Sequence, residues 1–325
     1  MKSKLLKGLV KSKISGRPVL LSHLITKKCN LTCGYCLWKD NRAGNMTTQE
    51  ILDLHKNADK EGFVGCFLWG GEPLLRPDIV EILEHDYKLG WWVNLATNGT
   101  FLEKQAEIVG KYVDELLVSV DIPSEEHDSI RGKAGTFAAC KKGIEAVKMH
   151  NSKCSIRVCC VISKHNKNHL KSIAEFAKEM GCGVIFQHID QNLARNPRIQ
   201  ESDISDEERK KVCKELIDLK KQGYPLFNSY TYLRQFLGAH KYKCRSQRLY
   251  FTVWADGGVS SCATGKDIGN VLKTPMGDLL DSGSYDQCLK ISDKCSKCKD
   301  SGTWETTHLY QLKAEALVNF TKQMI

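Results

Sequence analysis

The chain has 325 residues and a formal net charge of +10, from 48 lysines and arginines against 38 aspartates and glutamates. Its apolar runs are all shorter than the roughly 20 residues that span a bilayer, and the first residues lack the long apolar core of a signal peptide. Fifteen cysteines without a secretory signal favour metal ligation over a disulfide framework, so we expect a cytoplasmic protein. The basic residues are scattered and accompany no nucleic-acid-binding motif, so no nucleic-acid partner is expected.

The first predicted element is a short helix over residues 2–13, which carries five lysines. It contains Leu5, Leu6, Leu9 and Val10, and we expect these four residues to share one side of the helix. Such a basic, partly apolar arm fits packing against the body of the protein, and it also fits contact with a membrane surface. Packing is the favoured alternative, and a peripheral membrane contact stays open.

From residue 19 onward, strand patterns and helix patterns alternate along the chain. The predicted strands cover 19–25, 63–69, 91–97, 113–121, 155–162 and 183–189. The helices that follow them begin at the Thr47-Thr48 cap and then cover 78–89, 102–111, 137–150, 169–180 and 205–222. Alternating units of this kind give parallel strands with right-handed crossovers. Six units are too few for an eight-fold barrel, so the sequence predicts an α/β fold, a partial (β/α)6 TIM-type barrel.

Three cysteines at C-x3-C-x2-C spacing follow the first predicted strand: Cys29, Cys33 and Cys36. Thiolates are soft ligands that suit iron–sulfur clusters and zinc. A self-contained zinc site takes four ligands in a closed tetrahedron, whereas this local set supplies three and leaves one metal position open. The pattern therefore favours an iron–sulfur cluster with one open iron, and a zinc knuckle is the alternative.

Polar and glycine-rich motifs follow the next three predicted strands, at the ends where parallel α/β folds bind their ligands. Glycine allows a backbone to approach a ligand closely, and an acceptor-rich turn suits an ammonium group. The motif residues are Gly70, Gly71, Glu72 and Pro73 after the second strand, Thr97, Asn98 and Gly99 after the third, Ser119 and Asp121 at the end of the fourth, and Arg131 shortly beyond it.

Together, these motifs resemble the radical S-adenosylmethionine (SAM) superfamily. The resemblance implies that Cys29, Cys33 and Cys36 hold a [4Fe–4S] cluster whose open iron binds the amino and carboxylate groups of SAM. It also implies that the backbone of residues 70–73 meets the SAM amino group. The remaining cofactor contacts that it implies are Thr97 and Asn98, Ser119 and Asp121 near the ribose, and Arg131 at the SAM carboxylate.

The last third of the chain changes character. Two short strand patterns meet at an Asp-Gly-Gly turn, which predicts a β-hairpin. The pattern Cys244-x12-Gly257-x4-Cys262, followed by Cys295-x2-Cys298, resembles the SPASM/twitch extension of radical SAM enzymes. No cysteine follows Cys298, which favours the short twitch form with one auxiliary iron–sulfur cluster, and a structural zinc site is the alternative. The implied ligands are Cys244, Cys262, Cys295 and Cys298, with Cys288 as a spare candidate.

The predicted organisation is a basic arm over residues 1–18, a radical SAM barrel over 19–225, and a twitch-like hairpin and helix extension over 226–325. By resemblance, the chain would be an oxidoreductase or maturase-type enzyme that cleaves SAM reductively to a 5′-deoxyadenosyl radical and abstracts hydrogen from an unactivated carbon. The auxiliary cluster would make the net reaction an oxidation, such as dehydrogenation, decarboxylation or crosslinking of a small molecule, lipid or peptide. Flavodoxin or ferredoxin is the expected electron donor.

Two alternative functions stay open on the sequence. The C-terminal cysteines could hold a structural cluster or zinc ion beside a redox-neutral SAM reaction. The chain could also be a non-catalytic iron–sulfur or zinc-binding protein. That second alternative leaves the strand-end motifs at 70–73 and 97–99 without a purpose.

Overall fold

The computed structural model describes residues 2–36, 38–150, 154–189, 197–238, 242–260, 262 and 267–324. No helix within these ranges is long and apolar enough to cross a membrane. The described strands are β1 (Leu20–Thr26), β2 (Gly65–Gly70), β3 (Trp92–Thr97), β4 (Glu115–Ser119), β5 (Ser155–Ile162), β6 (Gly183–His188), β7 (Tyr250–Val253), β8 (Gly258–Ser260) and β9 (Asp267–Asn270). The described helices are α1 (Lys2–Ser15), α2 (Thr48–Lys60), α3 (Ile79–Lys88), α4 (Ala106–Tyr112), α5 (Glu126–Arg131), α6 (Thr136–Met149), α7 (Leu170–Glu179), α8 (Pro197–Ser202), α9 (Asp206–Lys221), α10 (Tyr230–Gln235), α11 (Met276–Leu280), α12 (Gly283–Lys294), α13 (Ser301–Tyr310) and α14 (Ala314–Met324).

Strands β1 to β6 are parallel to their neighbours, in the order that the chain predicts. The sheet is strongly curved. Tyr250 at the start of β7 lies close enough to Glu115 of β4 and Arg157 of β5 for their charges to act on its pKa, although three strands separate β7 from β4. The parallel sheet with its crossover helices is the partial TIM barrel that was predicted, and its inner face encloses a lumen.

Successive side chains of the strands alternate between the helix layer and the lumen. On β1, Leu21 and Ile25 are fully buried in the main hydrophobic core. Ser22 points to the other face, where its hydroxyl accepts a hydrogen bond from Trp69 Nε1 at 2.9 Å. Several residues of this inner face are only half-buried: Phe67, Asn94, Leu117, Cys159 and Ile185.

The C-terminal hairpin joins the barrel sheet directly. Strand β8 pairs antiparallel with β7, as the Asp-Gly-Gly turn predicts, and Gly257 in that turn has φ +79°, in the left-handed region. Strand β7 pairs in parallel with β1, with Leu20 opposite Tyr250 and His23 opposite Val253. The hairpin therefore continues the barrel wall beyond β1, and the domain limits at residues 18 and 225 stay a prediction.

Helix α1 packs across the N-terminal ends of the strands. Leu5 is 1% exposed and lies in a hydrophobic cluster with Leu20 and Trp92, the first residues of β1 and β3. The expectation that all four apolar residues of the arm share one side is wrong for Leu6 and Val10, which are 53% and 54% exposed. Neighbouring positions lie about 100° apart around a helix, so Leu6 points away from the core that Leu5 enters.

Candidate functional site

The three-cysteine loop lies at the carboxyl end of β1, and all three thiols are half-buried. Backbone N–H groups donate to two of the sulfurs: Leu31 N lies 3.5 Å from Cys29 Sγ, and Trp38 N lies 3.4 Å from Cys36 Sγ. Burial raises the pKa of the Cys29 and Cys33 thiols. Because burial disfavours the bare thiolate, a metal centre that binds these sulfurs would supply the missing stabilisation.

The glycine turn after β2 is seated on the backbone that leads into the cysteine loop. Gly71 N donates to Thr26 O at 2.7 Å, and Glu72 N donates to Lys28 O at 2.9 Å. A side chain at position 71 has no room, since a Cβ there would lie 2.2 Å from Lys28 O. Only glycine permits this contact, which fixes the turn directly beside Cys29.

Glu72 is buried, and its hydrogen bonds connect the end of β2 to the end of β3. Its carboxylate accepts hydrogen bonds from Thr97 Oγ1 at 2.8 Å and from Asn98 N at 2.6 Å. Burial raises the pKa of Glu72 to about 7 despite these bonds. Asn98 in turn donates from Nδ2 to Asn30 Oδ1 at 3.0 Å and lies 3.8 Å from Cys29 Sγ. Glu72 and Thr97 therefore support the cysteine loop through Asn98, and their predicted cofactor contacts stay predictions.

Asp121 and Arg131 form a buried pair beside the cysteine loop. The Asp121 carboxylate accepts from Arg131 Nε at 2.7 Å, from Tyr35 OH at 2.5 Å and from Val161 N at 3.1 Å. Arg131 Nη2 is buried and has no hydrogen-bond partner among the described residues. Arg131 also acts on the pKa of the Cys33 thiol, so this spare donor lies near the loop and fits an anionic group such as a carboxylate.

The predicted ribose contacts differ in how the structure presents them. The Asp121 carboxylate is fully buried and hydrogen-bonded to other residues of the protein, so the role that the structure shows for it is to orient Arg131. Ser119 is half-buried on the inner face of β4, and its carbonyl lies 3.6 Å from Cys140 Sγ. Contact of either residue with a ribose stays a prediction.

An aromatic wall that sequence reasoning missed lines the mouth of the lumen. Trp38 and Trp254 are stacked, with ring centroids 5.7 Å apart, and Trp69 meets both rings edge-on at 5.0 and 6.0 Å. Phe67 stacks on Trp69 at 6.3 Å. The alternation of Phe67 and Trp69 was visible in β2, but the approach of Trp38 and Trp254 depends on tertiary structure.

Short contacts connect Cys244 with Cys295 and, through Tyr242, with Cys298. Cys244 N donates to Cys295 O at 3.0 Å, and the Tyr242 hydroxyl is close enough to the Cys244 and Cys298 sulfurs for both to raise its pKa, after burial. Cys262 is exposed just after β8, and its carbonyl accepts a hydrogen bond from Ser260 at 3.0 Å. A shared site for Cys244, Cys262, Cys295 and Cys298 stays a prediction, and the spare candidate Cys288 is buried in α12.

A sequence model of the radical SAM superfamily matches residues 24–177. The match runs from β1 through most of α7 and includes the cysteine loop, the glycine turn and the Asp121–Arg131 pair. This part of the chain is a radical SAM domain. Enzymes of this superfamily use a [4Fe–4S] cluster and SAM, and an auxiliary cluster is typical of SPASM-type relatives, which confirms the predicted cofactors at the level of the family.

Two curated proteins are similar to this chain in sequence. The AdoMet-dependent heme synthase of Methanosarcina barkeri is 35% identical over 177 residues, which cover 52% of this chain and 50% of the relative. The Bacillus subtilis protein AlbA, for biosynthesis of the antilisterial bacteriocin subtilosin, is 28% identical over 172 residues, 51% of this chain and 38% of the relative. The chain thus spans about half or less of the length of these relatives.

The fold similarity extends beyond the family match. Streptococcus suis SuiB bound to its precursor peptide SuiA superposes with a TM-score of 0.70 at 15% identity, over 92% of this chain and 74% of SuiB. Identity at this level shows a shared fold alone.

The residues at the carboxyl ends of the strands fit the family's cofactors. Three half-buried thiols lie together in the loop after β1. The glycine turn has no space for a side chain at position 71. Arg131 presents a buried donor that no described residue satisfies. These features fit a metal cluster and a ligand that carries a carboxylate.

Proposed function

We propose that the chain is a radical SAM enzyme that cleaves SAM reductively and abstracts hydrogen from an unactivated carbon of its substrate. When bound, the cluster and SAM supply a 5′-deoxyadenosyl radical for that abstraction. The observation that carries the proposal is the convergence of Cys29, Cys33 and Cys36 with the unsatisfied Arg131 Nη2 at one end of the barrel.

The protein's own residues bind and orient the cofactors. Arg131 would bind the SAM carboxylate through Nη2, while Asp121 fixes the guanidinium through Nε. The Tyr35 hydroxyl, in the cysteine loop, donates to the Asp121 carboxylate, so this one buried anion connects the loop to Arg131. The turn at 70–73 would offer backbone carbonyls to the SAM ammonium group.

The C-terminal extension would accept an electron after hydrogen abstraction. The backbone bond between Cys244 and Cys295 and the position of Cys298 near Tyr242 support an auxiliary cluster in this region. A cluster with four cysteine ligands has no open iron, so electron transfer suits it better than substrate binding. The net reaction would then be an oxidation, with flavodoxin or ferredoxin as the electron donor in the cytoplasm.

A peptide is the substrate class that we favour. SuiB, which shares the fold, was solved with a precursor peptide, and AlbA acts in bacteriocin biosynthesis. In this chain, the wall of Trp38, Trp69 and Trp254 offers an apolar surface beside the cysteine loop, which suits an apolar or aromatic side chain. A tetrapyrrole would also stack on such a wall, and the heme synthase similarity keeps that second candidate.

The proposal is tested by SAM cleavage after anaerobic reconstitution with iron and sulfide and reduction with dithionite. The parent protein should form 5′-deoxyadenosine, and Cys29→Ala, Cys33→Ala and Cys36→Ala should each form none. Cys182→Ala is the matched control, because Cys182 is a buried thiol near the opposite ends of the strands. Formation of 5′-deoxyadenosine at the parental rate by any loop variant would show that the assignment is wrong.

A further inference from the structure

Helix α1 presents an apolar stripe to solvent on the face opposite its packed side. Leu6, Val10 and Ile14 are spaced four residues apart, so they follow one another along one face of the helix. They are 53%, 54% and 83% exposed. Single exposed apolar residues are ordinary on a protein surface, whereas a continuous row of them marks an interaction site.

The packed side of α1 prevents the helix from turning this stripe inward. Leu5 is buried in the cluster at the base of the barrel, and Ser12 Oγ donates to Arg248 O at 2.7 Å. Gly8 is so close to Val64 that a Cβ there would lie 2.6 Å from a methyl carbon. The stripe therefore faces solvent because the opposite side of the helix is fixed by close packing.

Lysines border the stripe on both sides. At about 100° per residue, Lys7 and Lys11 lie along one edge and Lys13 lies along the other, and all three are exposed. Lysine stems can extend along an apolar layer while their ammonium groups reach phosphate headgroups. We propose that this face of α1 binds the protein to an anionic lipid surface, with Leu6, Val10 and Ile14 inserted at the headgroup boundary.

Charge complementarity favours lipid over the other surfaces that could cover an apolar stripe. The net charge of +10 opposes association with a second copy of the chain and favours an anionic surface. An interfacial helix combines an apolar row with flanking lysines, and α1 has both features. This inference does not rest on the proposed catalytic function.

The location of α1 also fixes which end of the barrel meets the lipid. The helix packs on Leu20 and Trp92 at the N-terminal ends of the strands, whereas the cysteine loop follows the carboxyl end of β1. In the docked protein, the lumen mouth would face away from the membrane. Docking would therefore hold the enzyme at the surface and leave its site open to a substrate from the aqueous phase.

Co-sedimentation of the full chain with lipid vesicles tests the proposal. The parent should bind vesicles of phosphatidylcholine with phosphatidylglycerol at about 0.1 M salt, and weakly at about 1 M salt, where charges are screened. The variant Leu6→Gln/Val10→Gln/Ile14→Gln should bind at least about tenfold more weakly. Lys7→Gln and Lys11→Gln should each weaken binding about fivefold.

A matched control replaces three exposed apolar residues on other helices, Val80→Gln, Met149→Gln and Ile291→Gln, and should bind like the parent. No binding by the parent, undiminished binding by the stripe variant, or an equal loss in the control would each overturn the proposal. A dimeric parent with a monomeric stripe variant and no vesicle binding would assign the stripe to a second copy. Circular dichroism must show that all variants are folded like the parent.

Discussion

Replacing Asp121 with asparagine tests whether its buried carboxylate holds Arg131 in place. The amide keeps an acceptor oxygen for Val161 N but removes the charge that pairs with the guanidinium. The two residues are 0% and 7% exposed, so the substitution leaves a buried charge without compensation. Breaking one partner of such a pair costs about 3–5 kcal/mol of folding free energy. Urea denaturation of Asp121→Asn should therefore show a loss of that order.

The double variant Asp121→Asn/Arg131→Met separates stability from cofactor binding. It removes both charges together, so it should recover most of the stability, since replacing a whole buried pair is close to neutral. It should still bind SAM about 10- to 100-fold more weakly than the parent, because a charge-assisted hydrogen bond contributes about 1.5–3 kcal/mol. Calorimetric titration of reconstituted protein measures this affinity. Parental SAM affinity in a stable double variant would refute the role of Arg131, and parental stability in the single variant would refute the pairing.

Three further predictions concern the C-terminal region. Reconstituted protein should hold about eight irons, as two [4Fe–4S] clusters, and the Cys29→Ala/Cys33→Ala/Cys36→Ala variant about four; zinc without a brown chromophore would instead indicate a structural site. Cys298→Ala, if its circular dichroism and SAM binding are intact, should form 5′-deoxyadenosine with substrate present but fail to complete the oxidation, and a normal product yield would exclude the electron-acceptor role. Burial raises the pKa of Glu305 to about 7. The folded protein therefore favours the neutral carboxyl, and this contribution to stability is fully present below pH 4.5 and is lost as the pH rises through 7. Glu305→Gln, which stays neutral, should be more stable than the parent by about 2 kcal/mol at pH 8, after discounting for partial exposure, and equally stable near pH 4.5.

Local patterns along the chain predicted most of the barrel. Each parallel strand is a short apolar run bounded by turn residues, and two of the crossover helices, α2 and α9, begin with a clear capping signal. Thr47, at the predicted cap, forms a capping box with Glu50, and Ser205 and Glu208 form a second one at the start of α9. These signals depend on residues a few positions apart, so they are visible in the sequence. The helix over 102–111 was less regular, since it begins with a 3-10 turn at Glu103–Gln105.

Features that depend on distant residues could not be predicted in the same way. The pairing of β7 with β1 joins Leu20 to Tyr250, and no local pattern specifies such a pairing. The inward bonds of Glu72 and Asp121 were also missed, because a carboxylate at a strand end has the same sequence signal whether it faces a ligand or a neighbouring strand. The family's motif identifies the residue, and only tertiary structure gives its partners.

Strand β1 is the element that positions the cysteine loop relative to the C-terminal hairpin. Its carboxyl end leads to Cys29, β2 on one side carries the glycine turn, and β7 on the other side begins the hairpin that leads to Cys262. Leu20 lies opposite Gly65 of β2 and Tyr250 of β7, and the register of β1 with β2 shifts between Leu24 and Thr26. A one-residue slip of β7 would exchange its inner and outer faces and break the stacking of the aromatic wall. A hydrogen-bonded sheet therefore connects the strand that leads to the cysteine loop with the hairpin, the two regions to which the proposed electron-transfer steps belong.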